Sequence, residues 1–329
     1  MNEIAATPQQ SVEELDIAQH FRDCCDEKDL TERITVKCTT CGAETTLAPN
    51  VTSDRCPFCG SAIVAEGSSK KIIRPKSLLP FHVTRGQATA SFRSWIAGLW
   101  FAPSELSRRA EAAQITGVYM PCWTYDSDTR SEYTGERGDD YWDTETYTTT
   151  VNGRTETRTR QVQRTRWWPV SGVVDNTFDD VLVLASRSLP EKLASNLEPW
   201  DLKSLVPYQD EYLSGFVAES YQVGLPEGFE VAKQIMDGYI AQSIRQDIGG
   251  DHQRIHSVNT QHFNVTFKHA LLPVWISAYR YADKTFRFLV NARSGEVQGE
   301  RPYSLVKIMV AIVAAMAVIA GILLVTQSR

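Results

Sequence analysis

Two pairs of cysteines, each with two residues between its members, constrain this chain more than any other feature. The first pair is Cys38 and Cys41, the second is Cys56 and Cys59, and fourteen residues separate the inner cysteines. Two intervening residues let a tight turn aim both sulfurs at one ion, and Zn²⁺ takes four tetrahedral thiolate ligands. The spacing therefore predicts one structural zinc site in a zinc ribbon, with a short β-hairpin in the gap between the pairs.

A glycine follows each cysteine pair, Gly42 after the first and Gly60 after the second. Glycine adopts positive φ without steric cost, so each turn can close around the metal. Two disulfides are the alternative use of four cysteines, but they require an oxidising compartment. A catalytic zinc is disfavoured, because four thiolates leave no open position on a tetrahedral ion.

Three further cysteines, Cys24, Cys25 and Cys122, bring the total to seven. An odd number outside the ribbon disfavours a disulfide framework. The adjacent Cys24 and Cys25 could be reactive, but we expect two small apolar residues near a helix end.

Near its carboxyl end the chain has an uninterrupted apolar stretch, residues 308–325. As a helix this stretch would be ~27 Å long, close to the thickness of the bilayer hydrocarbon. Tyr303 and Lys307 precede it, where interfacial anchoring and snorkelling are typical. We expect a single transmembrane helix in contact with the lipid bilayer. The alternative is a buried core helix, although a soluble helix usually keeps a polar face.

Composition and patterning organise the rest of the chain. The 34 Lys and Arg against 40 Asp and Glu give a net charge of -6, which provides no overall attraction to nucleic acid. The predicted fold class is α+β, with an amino-terminal zinc ribbon, a mixed β-rich body containing a long β-hairpin, and one carboxyl-terminal transmembrane helix. The predicted segments are an acidic arm at 1–30 with a short helix at 12–23, the zinc ribbon at 31–66, a linker at 67–77, the α+β body at 78–302 and the membrane anchor at 303–329.

Two stretches of the body share a sequence pattern of apolar residues, Pro-x-Trp and then Tyr. They lie at 117–125 and 271–279, and both are rich in residues that favour strands. The shared pattern indicates either a weak internal duplication or two strands with similar neighbours. Both prolines are expected at a strand start or edge, because proline cannot donate to a ladder. Residues 227–248 show a helical apolar stripe that Gly249 and Gly250 end.

Asn152 and Gly153 form a strong two-residue hairpin signal between the β-favouring segments 139–151 and 154–168. A two-residue turn fixes the register and places Arg160 opposite Glu145. The same register sets three further arginines against tyrosines or a carboxylate: Arg158 with Tyr147, Arg164 with Tyr141, and Arg166 with Asp139. Alternating arginines alone are typical of a nucleic-acid surface. Because their partners are carboxylates and tyrosines, we favour a self-neutralised ladder.

Several other patterns bear on function. The sequence has no phosphate-binding loop, no G-x-G-x-x-G, no H-E-x-x-H and no G-x-S-x-G. His252 and His256 are four residues apart, but they follow two glycines and are interpreted as surface histidines. A small basic cluster could contact phosphates, RNA or anionic lipid, although we expect a solvated linker face; it consists of Lys70, Lys71, Arg74 and Lys76.

The ribbon, the strands at 117–125 and 271–281, the segment 290–302 and the apolar carboxyl-terminal helix together resemble a bacterial family. Its members are membrane-anchored zinc-ribbon proteins, often labelled primosomal protein N-prime (replication factor Y), superfamily II helicase. This sequence departs from a helicase because it lacks a nucleotide-binding motif. The resemblance implies a role at the cytoplasmic membrane, in some cases beside SPFH-domain and phage-shock-type envelope-stress proteins.

These observations predict a non-enzymatic adaptor that binds cytosolic partners and is tail-anchored in the cytoplasmic membrane. The bulk of the chain would lie in the cytoplasm. Arg293, Arg301 and Lys307 precede the apolar stretch and only Arg329 follows it, which agrees with the positive-inside rule. The alternatives are a membrane-tethered nucleic-acid-binding protein and an enzyme of unknown type.

Overall fold

The computed structural model describes residues 14–17, 19, 30–46, 53–64, 68–103, 115–151, 154–281 and 284–327. The strands are β1 (Leu15–Asp16), β2 (Leu30–Lys37), β3 (Glu44–Thr46), β4 (Ser53–Arg55), β5 (Ala62–Val64), β6 (Ser68–Ile73), β7 (Ser77–Leu78), β8 (Thr116–Val151), β9 (Arg154–Leu184), β10 (Val206–Pro207), β11 (Val217–Glu219), β12 (His252–Tyr281), β13 (Lys284–Asn291) and β14 (Val297–Gly299). The helices are α1 (Arg85–Ala97), α2 (Glu191–Ser195), α3 (Leu225–Ile248) and α4 (Leu305–Gln327), with 3-10 turns at Leu202–Ser204 and Asp210–Leu213.

Twelve of these strands form one mixed sheet, and β4 and β5 form a separate two-stranded ladder. The central strands are β8 and β12, which pair antiparallel along most of their length. The short strands β11 and β7 add parallel to β8 and β12, respectively. The architecture is therefore α+β, as the sequence predicts, with an apolar helix at the carboxyl end.

Helix α3 covers one face of the central sheet. Proline in its first turn favours helix initiation, and Gly249 ends it with a positive φ of 64°, as predicted. Its buried face carries Ala232, Met236 and Ile240, whose spacing of four residues keeps them on one side of the helix. These side chains belong to a core that also contains Trp123.

The predicted long hairpin is formed by β8 and β9. Their pairing runs from Val151 with Arg154 to Cys122 with Leu184, and the register shifts between Tyr125 and Ser127. The Asn-Gly turn itself lies outside the described residues. Because β12 pairs with β8 only as far as Gly138, the outer hairpin continues as a two-stranded ribbon.

The register confirms all four predicted cross-strand pairs of arginines. Arg160 Nη2 lies 2.7 Å from Glu145 Oε2, so this pair is also an ion pair. Arg164 stands opposite Tyr141, but its guanidinium Nε lies 3.1 Å from a carboxylate oxygen of Asp143. The side chain therefore leans along the strand toward the nearest carboxylate.

The other two arginines of the ladder are also engaged. The guanidinium of Arg166 lies 5.0 Å from the ring centroid of Tyr141. Arg158 pairs with Glu156 on its own strand at 3.0 Å. Three arginines of the stripe are thus ion-paired with carboxylates and the fourth contacts an aromatic ring, although the partners are not always the residues directly opposite.

The two Pro-x-Trp strands are equivalent parts of an internal duplication. Trp123 Nε1 donates to the carbonyl oxygen of Val223 at 2.9 Å, and Trp275 Nε1 donates to that of Val83 at 2.8 Å. Each valine lies just before a helix, α3 or α1, so each tryptophan binds the segment that leads into the helix of the other half. This exchange shows that the sequence similarity reflects repeated structure.

Main-chain contacts repeat in the same way. The amide of Ala185 donates to Pro121 at 3.0 Å and the amide of Ala292 donates to Pro273 at 3.0 Å. The two alanine carbonyls accept from Val223 and Val83, at 3.1 Å and 2.8 Å. One half therefore consists of β7, α1, β8 and β9, and the other of β11, α3, β12 and β13.

The expectation that both prolines stand at a strand start or edge is wrong. Pro121 lies inside β8, which pairs with β11 up to Tyr119 and with β9 from Cys122 onward. Pro273 lies inside β12, where the neighbour changes from β7 to β13. Each proline occupies the junction between two neighbouring strands, where the ladder needs no amide donor.

Predictions for two short segments also need correction. The segment 67–77, predicted to be a linker, contains β6, which pairs with β2, and β7, which pairs with β10 and β12. An edge strand such as β6 tolerates serine and lysine, so its polar composition resembled that of a linker.

Within the predicted helix at 12–23, Leu15–Asp16 instead form a short strand that pairs with Phe267 and Thr266 of β12, whereas Ile17 and Gln19 are helical as predicted. Pairing with the sheet overrides the local helical pattern there. Apart from residues 14–17, 19 and 30, the acidic arm lies outside the described residues.

The cross-strand ion pair of the hairpin generates a prediction. Glu145→Arg and Arg160→Glu should each lower the melting temperature, because each places like charges opposite one another. The double variant should recover most of that loss in a thermal melt at low salt. As a control, Glu145→Arg combined with Arg130→Glu should recover nothing, and equal melting of all variants would refute the pairing.

Candidate metal centre

The four sulfurs of the two cysteine pairs converge on one point. Cys38 Sγ lies 3.6 Å from Cys59 Sγ, and Cys41 Sγ lies 3.6 Å from Cys56 Sγ. All four sulfurs lie within 4.8 Å of one another. A tetrahedral ion with metal–sulfur bonds of ~2.3 Å would hold its sulfurs about 3.8 Å apart, whereas a disulfide bond is ~2.05 Å long. The four cysteines could therefore hold a metal ion, and none is disulfide-bonded.

Both cysteine turns have the same main-chain geometry. The Gly42 amide donates to the Cys38 carbonyl, and the Gly60 amide donates to the Cys56 carbonyl, each at 2.8 Å. The glycines have φ of 77° and 72°, and no atom lies within 4 Å of where a Cβ would be placed on either. Glycine is therefore favoured at both positions because of the positive φ, as the sequence predicts, and not because a side chain would lack space.

The expected hairpin between the two cysteine pairs is wrong. The strands in that gap, β3 and β4, pair with β2 and β5 respectively, and not with each other. Each cysteine turn is instead the tip of its own two-stranded ladder. The tight turn that brings two sulfurs together also reverses the chain direction. The strands before and after each pair of cysteines therefore pair with each other.

The thiols influence one another electrostatically. A hydrogen bond with Cys56 lowers the pKa of Cys41 to about 5, and the same contact, together with burial, raises the pKa of Cys56. Burial also raises the pKa of Cys59. The cluster therefore loses a first proton readily, whereas further thiolates are opposed by burial and mutual repulsion. A bound cation would offset that repulsion.

The cysteine turns are built into the core of the body. Phe58, between the cysteines of the second pair, is fully buried in a cluster with Cys38, Val118 and Val274. Val118 lies on β8 and Val274 on β12, the two central strands of the sheet. The metal centre and the central sheet therefore share one apolar core.

Two side chains of the body also bind the cysteine turns directly. Arg287 Nε donates to the Phe58 carbonyl at 2.9 Å, and Gln222 Nε2 donates to the Gly42 carbonyl at 3.2 Å. Neither residue could be predicted from the sequence, because both lie far from the cysteines in the chain and carry no local motif.

A buried carboxylate lies beside the first cysteine turn. Glu219 belongs to β11, which pairs with β3, and it accepts hydrogen bonds from the hydroxyls of Ser186 and Ser188. Burial raises its pKa to about 7, despite those two donors. Glu219 could not be predicted from the sequence, because a lone glutamate in a short strand has no distinguishing pattern.

A second acidic cluster lies on the long hairpin, where carboxylate oxygens of Asp126, Asp179 and Asp180 lie within 4.8 Å of one another. Lys268 Nζ lies 2.7 Å from Asp180 and 3.0 Å from Glu14. Burial acts to lower the pKa of Lys268, but these hydrogen bonds outweigh it and raise the pKa to about 12. The ammonium neutralises the cluster, so we interpret it as an ion-pair network.

The remaining candidate residues are separate from the metal centre. His252 and His256 are exposed on β12, with ring nitrogens 3.1 Å and 3.7 Å from carboxylates of the neighbouring strand. This confirms their interpretation as surface histidines. Cys122 is fully buried and donates to the Ala270 carbonyl, whereas Cys24 and Cys25 lie outside the described residues.

The basic cluster predicted on the linker is not a continuous loop face. The main chain of Lys70 and Lys71 belongs to β6. The guanidinium of Arg74 lies 5.8 Å from the ring centroid of Tyr208, and Lys76 is half-buried. Two of the four residues therefore pack against the body instead of forming a free basic stripe.

Helix α4 is long and apolar enough to cross a membrane, and none of its residues 305–322 is buried against the body. Two hydrogen bonds fix its base: the Ser304 amide donates to Phe101, and Lys307 Nζ donates to the Ala102 carbonyl, both at 2.7 Å. Beside this base, Trp100 is 85% exposed and Tyr303 is 58% exposed. Exposed aromatic rings at the end of an apolar helix are typical of a membrane–water interface.

Comparison with known proteins finds a bacterial relative. The chain is 27% identical over 259 residues to a protein described as "Uncharacterized protein YdjG" of Bacillus subtilis (strain 168), with 74% of this chain and 68% of the relative covered. No family model matches the chain. No solved structure matches it.

The shared core generates a prediction about the metal centre. Replacing Cys56 and Cys59 together by serine should reduce the bound metal from about one ion per chain to none. It should also lower the melting temperature of the whole body, because Phe58 packs against the central strands. Elemental analysis and a thermal melt would measure the two effects.

Cys122→Ala is the matched control, since it removes a buried thiol outside the cluster and should retain the metal. Unchanged metal content in the double variant would contradict the assignment of ligands. Loss of metal with unchanged melting would contradict the shared core.

Proposed function

We propose that this chain is a non-enzymatic, zinc-containing adaptor, anchored in the cytoplasmic membrane by α4 and binding cytosolic partner proteins. The observation that carries the proposal is the combination of a fully exposed apolar helix with a four-cysteine centre inside the core of the attached body. The helix needs an apolar environment outside the body, and the centre stabilises the part that remains in water.

We assign the metal as zinc and the surrounding fold as a zinc ribbon. Zinc accepts a closed tetrahedral set of four thiolates and needs no redox chemistry to do so. Two short ladders with a cysteine turn at each tip, β2–β3 and β4–β5, are consistent with such a ribbon. Because the protein supplies all four ligands, a bound zinc has no open position for water or substrate, which supports a structural rather than a catalytic role.

The charges near α4 support an orientation with the body in the cytoplasm. Arg293, Arg301 and Lys307 lie on the body side of the helix, and the positive-inside rule places such residues in the cytoplasm. A reducing cytoplasm also keeps cysteine thiols available to zinc.

Nucleic-acid binding is the weaker alternative. The hairpin arginines that suggested it are held by carboxylates or lie over aromatic rings, as for Arg160 with Glu145. Binding of phosphates would require these contacts to break, and the net charge of -6 opposes it. Protein partners are favoured instead, and the family resemblance suggests SPFH-domain and phage-shock-type proteins.

The orientation can be tested with an impermeant thiol reagent. A cysteine introduced by Trp142→Cys lies on the exposed outer hairpin. In intact cells it should resist labelling and react only after lysis, whereas Ser328→Cys beyond the helix should react before lysis. Labelling of Trp142→Cys in intact cells would place the body outside and contradict the adaptor proposal.

The adaptor role itself can be tested by crosslinking and co-purification from native membranes. The full-length chain should retain a defined set of membrane or cytosolic proteins in a zinc-dependent manner, because zinc stabilises the binding body. The double cysteine variant should lose them. Salt-sensitive retention of DNA or RNA, abolished by Arg160→Ala and Arg164→Ala with the fold intact, would instead support the nucleic-acid alternative.

A further inference from the structure

The two halves of the internal duplication differ at one edge. In the second half, β14 extends the sheet beyond β13, pairing Val297 with Val290 and Gly299 with Phe288. The counterpart of β13 is β9, since Ala185 and Ala292 make equivalent contacts. Among the described strands, β9 pairs with β8 only. The other edge of β9, at 181–184, therefore has no partner strand among the described residues. After Ala185 the chain forms α2 rather than returning as a strand.

The helices of the two halves confirm this correspondence. Buried residues of α1 (Ala88, Phe92, Ile96) recur at equal spacing on α3 as Gly228, Ala232 and Met236. Trp95 precedes Ile96, and its counterpart preceding Met236 is Ile235. The ring of Trp95 packs so closely on β14 that a Cβ at Gly299 would lie 2.8 Å from it.

A groove of about 440 Å³ occupies the equivalent place in the first half. Its base is the edge of β9, and its walls are α3 and the segment around Trp200. Ile235, which replaces Trp95, lines the groove and is 38% exposed. Leu182 and Val183 also line the groove. Their counterparts in the second half are Leu289 and Val290, which pair with β14.

We propose that this groove binds an extended peptide of a partner protein, which adds as a strand to β9 at 181–184 as β14 adds to β13. This inference rests on the proposed adaptor role and names its binding site. Main-chain hydrogen bonds to an open sheet edge give affinity, and pockets for alternate side chains give specificity. The duplicated half shows that the same local architecture accepts a strand at this position.

The groove defines the chemistry of the peptide. Ile235 and Val181 are smaller than their counterparts Trp95 and Phe288, so the residue at the place of Gly299 is a larger apolar one. Apolar side chains at alternate positions would enter the groove. The exposed carboxylate of Glu198 on its rim favours basic flanking residues, whereas Glu227 is paired with Arg187.

The test uses the full chain in lipid nanodiscs and the labelled peptide Lys-Val-Thr-Leu-Thr-Val-Lys. Fluorescence anisotropy should show saturable binding. The same peptide with proline in place of leucine should not bind, because it cannot pair as a strand. In the variant Ile235→Arg, the longer charged side chain should occupy the groove, and the position is exposed enough for the fold to tolerate it. This variant should weaken binding by about tenfold or more.

Val258→Arg is the matched control. Val258 is 44% exposed and lines a different cavity with Lys233 and Asp237, so this variant should bind the peptide as the unmodified chain does. Melting temperatures of both variants would verify that each is folded. Equal binding by Ile235→Arg, or no saturable binding by the unmodified chain, would overturn the proposal.

Co-purification separates this inference from the adaptor role. If Ile235→Arg retains the native partners as the unmodified chain does, the groove assignment is wrong and the adaptor role stands. If no partner is retained by any form but the peptide still binds through Ile235, the groove is supported and the adaptor role fails. Dimerisation that depends on Ile235, without peptide binding, would assign the groove to a second copy and overturn the proposal.

Discussion

The packing of the second cysteine turn into the central sheet is the interaction on which the rest of the structure depends. Phe58 lies between two cysteines of the cluster and is fully buried against residues of β8 and β12. Cys38 and Cys56 belong to the same buried cluster, so the sulfurs and this core are packed together. A cation that offsets thiolate repulsion there would stabilise the body together with the two cysteine turns.

The internal duplication gives the body two equivalent halves, and each half contributes contacts to the core of the other. Each tryptophan of a central strand binds the segment that leads into the helix of the opposite half, so neither half forms its core alone. The second half closes its sheet edge with β14 and leads directly to α4. The first half carries the long hairpin and the open edge of β9. Under the adaptor proposal, the second half would carry the anchor and the first half the partner site.

Prediction of structure from the sequence succeeded where the determining contacts are local. The cysteine spacing, the Asn-Gly turn that sets Glu145 opposite Arg160, the glycines that end α3 and the apolar stretch of α4 each encode their structure within a few residues. It failed where distant strands decide the outcome. Pro121 and Pro273 are tolerated inside strands only because a neighbour changes there, and β6 is ordered only because β2 pairs with it. Gln222 and Arg287, which bind the cysteine turns, had no local signal for the same reason.

Hydrogen exchange of the full-length protein in detergent, with and without a metal chelator, tests the shared core most directly. If the account is correct, removal of the metal should release the amides of the central strands near Val118 and Val274 together with those of the cysteine turns, because one core protects both. Loss of protection confined to residues 30–64, with the central strands still protected, would contradict it and would make the metal centre an independent unit.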